Sequence, residues 1–129
     1  MAGTLSKEER LSRRSDIARL LSEGRYGDAG CVRYCFAGGS GKLFSRVLLS
    51  VRKRDFKRAV WRNLIRRRLR ESYRLQKDIL EGFPADIMLV YTSKEILPYT
   101  EIFSSVGSAL SAIRKRLKKS HGGHLKEEK

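Results

Sequence analysis

Acidic residues, cysteines and histidines are scarce in this chain, and long apolar runs are missing. Of 129 residues, 14 are Asp or Glu, two are Cys and two are His. No stretch approaches the ~18–20 apolar residues that a membrane-spanning helix needs. The opening residues, MAGTLSKEER, lack the apolar segment of a secretory signal. Cys31 and Cys35 stand four apart in a strand-like run. They are expected to share a face but to lie too far apart for a disulfide, hence to be reduced, half-buried thiols. All of this suits the cytoplasm. The acids are scattered, mostly beside Lys or Arg, so the carboxylate cluster of a metal-dependent phosphodiesterase is not seen. The histidines, His121 and His124, fall in a tail where no packed element would fix them as bases. The sequence therefore predicts neither catalytic residues nor metal ligands of the chain's own.

Cations, by contrast, are abundant. Lys and Arg total 29, for a formal net charge of +15. A compact domain this basic repels itself unless a polyanion neutralises it. Nucleic acid is the first candidate partner and an anionic membrane the second. The length argues for one domain, the apolar content of 40% is compatible with a globular fold, and a chain of this size can bury a real core.

Local patterns give an element order. A first helix is predicted from about Arg13 to Ser22, with Ile17, Leu20 and Leu21 at helical spacing and Gly24 as a stop. CVRYCFA (31–37) and SRVLLSV (45–51) read as strands of a β-hairpin joined by the loose turn GGSGK. That turn has some likeness to a phosphate-binding loop, but Phe36 stands where the pattern needs Gly and Leu43 where it needs Ser or Thr. A long helix follows over roughly 57–80, ended by Gly82 and Pro84. DIMLVY (86–91) reads as a buried strand. The last helix, about 99–119, has Ile102, Phe103, Val106, Ala109, Leu110, Ile113 and Leu117 as its apolar stripe. Its RKRLKK segment places cations where a helix C-terminus favours them. The order α-β-β-α-β-α, with room for one further short strand, predicts an α+β fold: a single-domain sandwich of a small mixed sheet packed with helices over residues 1–119, followed by a disordered tail over 120–129.

The segment 52–74, RKRDFKRAVWRNLIRRRLRESYR, is the most informative. At 100° per residue, Arg62, Asn63, Arg66, Arg67, Arg70 and Arg74 share one arc, while Trp61, Leu64, Ile65, Leu69 and Ser72 occupy the opposite, core-facing arc. Arginine's planar fork of donors matches phosphate oxygens in pairs and can stack on bases. Arg62, Arg66 and Arg70 are spaced i,i+4, so this face costs the isolated helix a few tenths of a kcal/mol per like-charged pair. A purely solubilising surface is the plainer reading. A membrane-surface or calmodulin-binding helix is another, set against the helix's place between strands, where its apolar side is needed for the domain's core.

Lys53-Arg54, Lys57-Arg58-Ala59-Val60, Arg62-Asn63-Leu64-Ile65-Arg66-Arg67 and Arg70-Glu71 together resemble the signature of the bacterial ribonuclease P protein, in which a basic loop runs into a helix reading Arg-Asn-Arg, then Lys/Arg-Arg, then Arg-Glu. The preceding Leu49-Ser50-Val51 is similar as well. The resemblance spans about residues 5–118, and only the helix motif is specific. Three positions depart from it. Leu64 replaces an Arg and either removes an RNA contact or packs inward. Arg68 falls in the apolar arc, where it must snorkel or pair. Ile17 and Leu21 match two Phe residues that line a substrate cleft in relatives, and they cannot stack on a base.

The resemblance implies a protein subunit for an RNA enzyme. A catalytic RNA, holding the Mg2+ ions, hydrolyses the bond between the 5′ leader and mature tRNA. Lys53, Arg54, Lys57, Arg58, Arg62, Asn63, Arg66, Arg67, Arg70 and Arg74 would contact that RNA. The leader of precursor tRNA would lie between the first helix and an exposed sheet face, against Ile17, Leu21, Val32, Tyr34 and Phe36, with plain core packing as the other reading of Tyr34 and Phe36. The protein would act as a monomer, one per RNA, without a membrane. A ribosomal-type structural RNA-binding protein and a DNA-binding regulator are the alternatives; the latter would need a recognition helix after a tight helix-turn.

Overall fold

A computed structural model describes residues 6–38 and 42–127, with side chains described up to Lys119. The elements are α1 (Arg14–Glu23), β1 (Arg25–Ala29), β2 (Val32–Ala37), β3 (Arg46–Val51), α2 (Ala59–Gln76), β4 (Asp86–Tyr91) and α3 (Tyr99–Glu127). Short 3-10 turns at Lys7–Glu9 and Lys77–Leu80 precede α1 and follow α2. The α+β sandwich expected from the sequence is therefore present, with one additional strand. The predicted GGSGK turn falls largely outside the described residues, and so do the side chains of His121 and His124. The backbone of α3 runs to Glu127, beyond the expected end near Lys119.

Strand order is β1-β2-β4-β3, antiparallel except for the parallel β3–β4 pair. The predicted β2–β3 hairpin is thus incorrect, because β4 lies between the two strands. The reason is burial: Ile87, Leu89 and Tyr91 are fully buried, and so apolar a run is most stable with neighbours on both edges. A parallel pair needs a long crossover, which α2 supplies between β3 and β4. The true hairpin is β1–β2, whose turn is Gly30-Cys31. Gly30 has φ +55°, as the first position of such a turn requires, and a Cβ there would lie 2.2 Å from Ser105 Oγ. That hydroxyl accepts the Cys31 N–H at 3.0 Å.

The sheet has α2 and α3 on one face and α1 on the other. The larger core joins Ile65, Leu69 and Tyr73 of α2, the α3 stripe except Phe103, which is half-buried, and Val32, Tyr34, Phe36, Ile87, Leu89 and Tyr91 of the sheet. The smaller core, beneath α1, contains Leu11, Leu20 and Cys35, with Ile17, Ala37, Leu48 and Met88 against them. Cys31 and Cys35 are both free, but they are buried rather than half-buried and belong to different cores instead of sharing a face, because Cys31 lies in the turn rather than in the strand. Burial pushes the Cys35 thiol up, against the smaller, opposing effect of a hydrogen bond with Tyr26. The N-terminal segment is held against β3 by an isolated bridge, Arg10 to Val47, and against the end of α2 by the Glu9–Lys77 ion pair at 2.9 Å.

Candidate nucleic-acid interface

The basic loop before α2 is pinned from below and from both ends. Phe56 is buried and packs against Tyr91, ring centroids 6.0 Å apart. Arg52 Nε donates to Asp55 Oδ2 at 3.0 Å, and Arg52 Nη2 reaches the Thr92 carbonyl at 3.4 Å. Arg62, one turn into the helix, donates through Nη1 to the Phe56 and Lys57 carbonyls at 2.7 and 2.8 Å. With its backbone held, the loop presents Lys53, Arg54, Lys57 and Arg58, all exposed, at fixed positions. Such preorganisation lowers the ordering cost of binding.

Along α2 the predicted cationic face is divided by function. Asn63, Arg67 and Arg70 are exposed. Arg66 Nη1 donates to Asn63 Oδ1 at 3.0 Å, which orients both side chains outward on one ridge. Arg74 is ion-paired with Glu71. The Glu71 carboxyl is held below its usual range, chiefly by the hydrogen bond from Arg74. Among the described residues, Lys53, Arg54, Lys57, Arg58, Arg67 and Arg70 form no ion pair. Arg62 serves the loop first and is only half-exposed, and sequence reasoning missed that positioning role.

The opposite arc needs two corrections, at Trp61 and Leu64. Ile65, Leu69 and Ser72 are buried as expected, joined by Tyr73, but Trp61 is 41% exposed. It sits one turn N-terminal to Ile65 on the same stripe, so its exposure reflects where α2 begins and not which way it points. An exposed indole beside Arg58 and Arg62 can stack on an unpaired base. Leu64 is half-buried and lies outside both cores. Arg68 pairs, as the apolar arc demanded: Nη1 donates to the Leu97 carbonyl at 2.6 Å.

The other candidate surface, the sheet face under α1, requires a larger correction. Val32, Tyr34 and Phe36 do share a face of β2, but it is the one covered by α2 and α3, and they are 0%, 5% and 2% exposed. They cannot line a cleft. The reason lies across the hairpin, where Gly27 opposite Tyr34 leaves room for the Tyr34 ring to lie flat; a Cβ there would come within 2.3 Å of it. The α1-side face carries Tyr26, Asp28, Arg33, Cys35, Leu48, Ser50, Met88 and Val90. α1 covers the Cys35–Met88–Leu48 row with Ile17 and Leu20. The next row, Asp28–Arg33–Val90–Ser50, lies beyond that cover. Leu21 and Tyr26, 46% and 47% exposed, stand together on this side, and the Tyr26 hydroxyl donates to the Leu21 carbonyl at 2.9 Å. Of the five predicted cleft residues, Leu21 is the most open, Ile17 packs at the edge of the smaller core, and the β2 trio is internal. Tyr26 was missed because RYGDA carries Gly and Asp, poor strand formers, and did not register as a strand.

Among the described residues, no helix is long and apolar enough to cross a membrane. Fold and site define a class: a small basic α+β protein that exposes an arginine-rich helix face and a pinned basic loop. A family model described as Ribonuclease P matches residues 5–118, and the chain belongs to that family. It is 41% identical over 78 residues to the ribonuclease P protein component of two Porphyromonas gingivalis strains, a match covering 59% of this chain. The chain spans 57% of the length of these relatives. Its fold is similar to that of the Staphylococcus aureus RNase P protein, with TM-score 0.72, 20% identity and coverage of 82% of this chain and 95% of the other. The Thermotoga maritima RNase P protein is similar too, at TM-score 0.70 and 22% identity, covering 81% and 96%.

Proposed function

We propose that this chain is the protein subunit of a ribonuclease P. It holds phosphates of the catalytic RNA with the α2 face and the basic loop, and it holds the 5′ leader of precursor tRNA on the sheet face beside α1. Hydrolysis and the Mg2+ ions belong mainly to the RNA. In this reading no hydrolytic step is assigned to the chain's side chains. They neutralise phosphate charge, which favours close packing of RNA strands, and they position the substrate. The observation that carries this reading is the row of exposed, unpaired Arg and Lys side chains on a loop and helix braced by Arg52, Phe56 and Arg62.

Reconstitution tests it. Purified chain added to a bacterial ribonuclease P RNA at low Mg2+ is expected to restore release of a 5′ leader, with one protein per RNA. If no RNA architecture gains activity, a structural RNA-binding protein of ribosomal type becomes the better reading.

The leader surface has its own test. Tyr26→Ala is expected to weaken binding of leader-bearing precursor by about 1–3 kcal/mol, the value of one base stacked on an aromatic ring, and to leave mature tRNA unchanged. Tyr34→Leu is expected to lower unfolding stability by about 1–3 kcal/mol and to shift both RNAs equally, because that ring is internal. A leader-selective loss at Tyr34, with none at Tyr26, would reverse the placement of the leader.

A further inference from the structure

Three cations outside the α2 surface are gathered in one place. At the far end of α2, the 3-10 turn Lys77–Leu80 faces α3 across a cleft of about 560 Å3 lined by Asp78, Ile79, Ser111, Arg114, Lys115 and Lys118. The α3 members recur at i, i+3, i+4 and i+7, so they share one helix face, while Ile113 and Leu117 are buried in the core. Ser111, Arg114, Lys115 and Lys118 are all exposed, and none of the three cations forms an ion pair among the described residues. Asp78 is the one acid on the cleft wall.

Arg114 is held in a particular way. Its guanidinium lies over the Phe83 ring, 5.4 Å from the centroid. Contact with the ring restrains the fork and uses none of its N–H donors, which stay directed to an acceptor such as a phosphate. Its neighbour Arg116 shows the contrast: it stacks on Phe36 at 5.1 Å but spends Nη1 on the Tyr26 carbonyl at 3.1 Å. Arg114–Lys118 and Lys115–Lys118 are like-charged neighbours at i,i+4 and i,i+3, which costs helix stability unless an anion intervenes. Asp78 lies roughly 24 Å along the chain axis from Arg62 at helical rise. Between the two, Arg74 is ion-paired with Glu71, so the α2 ridge of cations without ion pairs among the described residues ends at Arg70 and the cleft is a separate group.

We propose that this cleft is a second phosphate-backbone site, where Arg114, Lys115, Lys118 and the Ser111 hydroxyl grip a further helical segment of the same catalytic RNA, so that the protein clamps two segments. The inference rests on the proposed function. Contact is with backbone only, since the cleft offers cations and a hydroxyl with no aromatic face for a base.

The test uses the full chain with a bacterial ribonuclease P RNA. Binding is measured against salt for the wild type, R114Q/K115Q/K118Q, K115Q/K118Q and K115R/K118R, with backbone-cleavage footprints of each complex. The triple variant is expected to flatten the log–log salt slope by about 2 units and the double variant by about 1–2, at roughly 0.7–0.9 per phosphate contact. K115R/K118R is expected to match the wild type, and one protected RNA segment should be lost while another persists. The double variant leaves the Arg114–Phe83 stack intact, so it answers even if the triple variant melts early. Slopes and footprints that coincide with those of a binding wild type overturn the inference alone. Loss of binding to phosphatidylserine vesicles with unchanged RNA affinity overturns it in favour of a membrane surface. A wild type that binds no ribonuclease P RNA overturns the proposed function itself, and the clamp with it.

Discussion

Replacing Arg67 and Arg70 with alanine is expected to weaken binding of the catalytic RNA and to flatten the salt dependence by about one to two units, while thermal stability stays level or rises. Both side chains are exposed on α2 and form no ion pair among the described residues. Each phosphate neutralised contributes roughly 0.7–0.9 to the slope. Removal also relieves the repulsion between Arg66 and Arg70 and introduces the best helix former, each worth a few tenths of a kcal/mol. Arg62→Ala should behave differently. It frees the Phe56 and Lys57 carbonyls and loosens the loop, so stability and affinity should fall together, with a smaller change of slope per unit of affinity lost. Isothermal binding at four or five salt concentrations separates the two patterns. An unchanged slope in the Arg67/Arg70 variant would remove this face from the interface.

Arg46→Met is expected to be the most damaging single change to the fold, at about 3–5 kcal/mol. Arg46 binds Asp86 with two hydrogen bonds, Nε to Oδ1 at 2.8 Å and Nη2 to Oδ2 at 2.7 Å, and its Nη1 reaches Asp16 Oδ2 at 3.1 Å. The Asp86 side chain is 4% exposed, so losing its partner strands a charge at the start of β4, one of the two inner strands. For a domain whose total stability lies in the range of about 5–15 kcal/mol, that is a large fraction. It corresponds to a fall in Tm of roughly 10–20 °C. The double substitution R46M/D86L should recover much of the loss, because removing both charges leaves none unpaired. A single-variant cost under about 1 kcal/mol would mean that water reaches Asp86 and that the bridge between α1, β3 and β4 is ornamental to stability.

The elements that could be read from the sequence are those specified by near neighbours. The limits of β4, the start of α3 and its stripe follow from apolar spacing, and α2 follows from a 3.6-residue pattern broken by Gly82 and Pro84. The cationic face of α2 follows from the same periodicity. What failed depended on distant partners. β1 was not recognised as a strand because Arg25, Gly27 and Asp28 have little strand preference; pairing with β2 holds it there. The β2–β3 hairpin was inferred from closeness in sequence, whereas β4, some fifty residues after β2, takes the place between them.

The candidate site divides in the same way. Alternation along β2 put Val32, Tyr34 and Phe36 together, but a period of two names two faces without saying which one meets water. Covering one face with two helices and the other with one short helix made the Tyr34 face the interior and left Tyr26 outside. Trp61 has the right angular position for the core and lies beyond the part of α2 that is buried. Arg62 has the right position for a phosphate and is drawn back to the loop carbonyls.

The sequence by itself determined the charge, the cationic ridge of α2, the helical and extended segments and the family, because each is written in residue types and short spacings. Only the tertiary structure decided the strand order, the sheet face left open beside α1, the bracing of the basic loop and the second cationic cleft between the end of α2 and α3. Those depend on which surfaces segments far apart in the chain bury against one another, and local periodicity does not encode that choice.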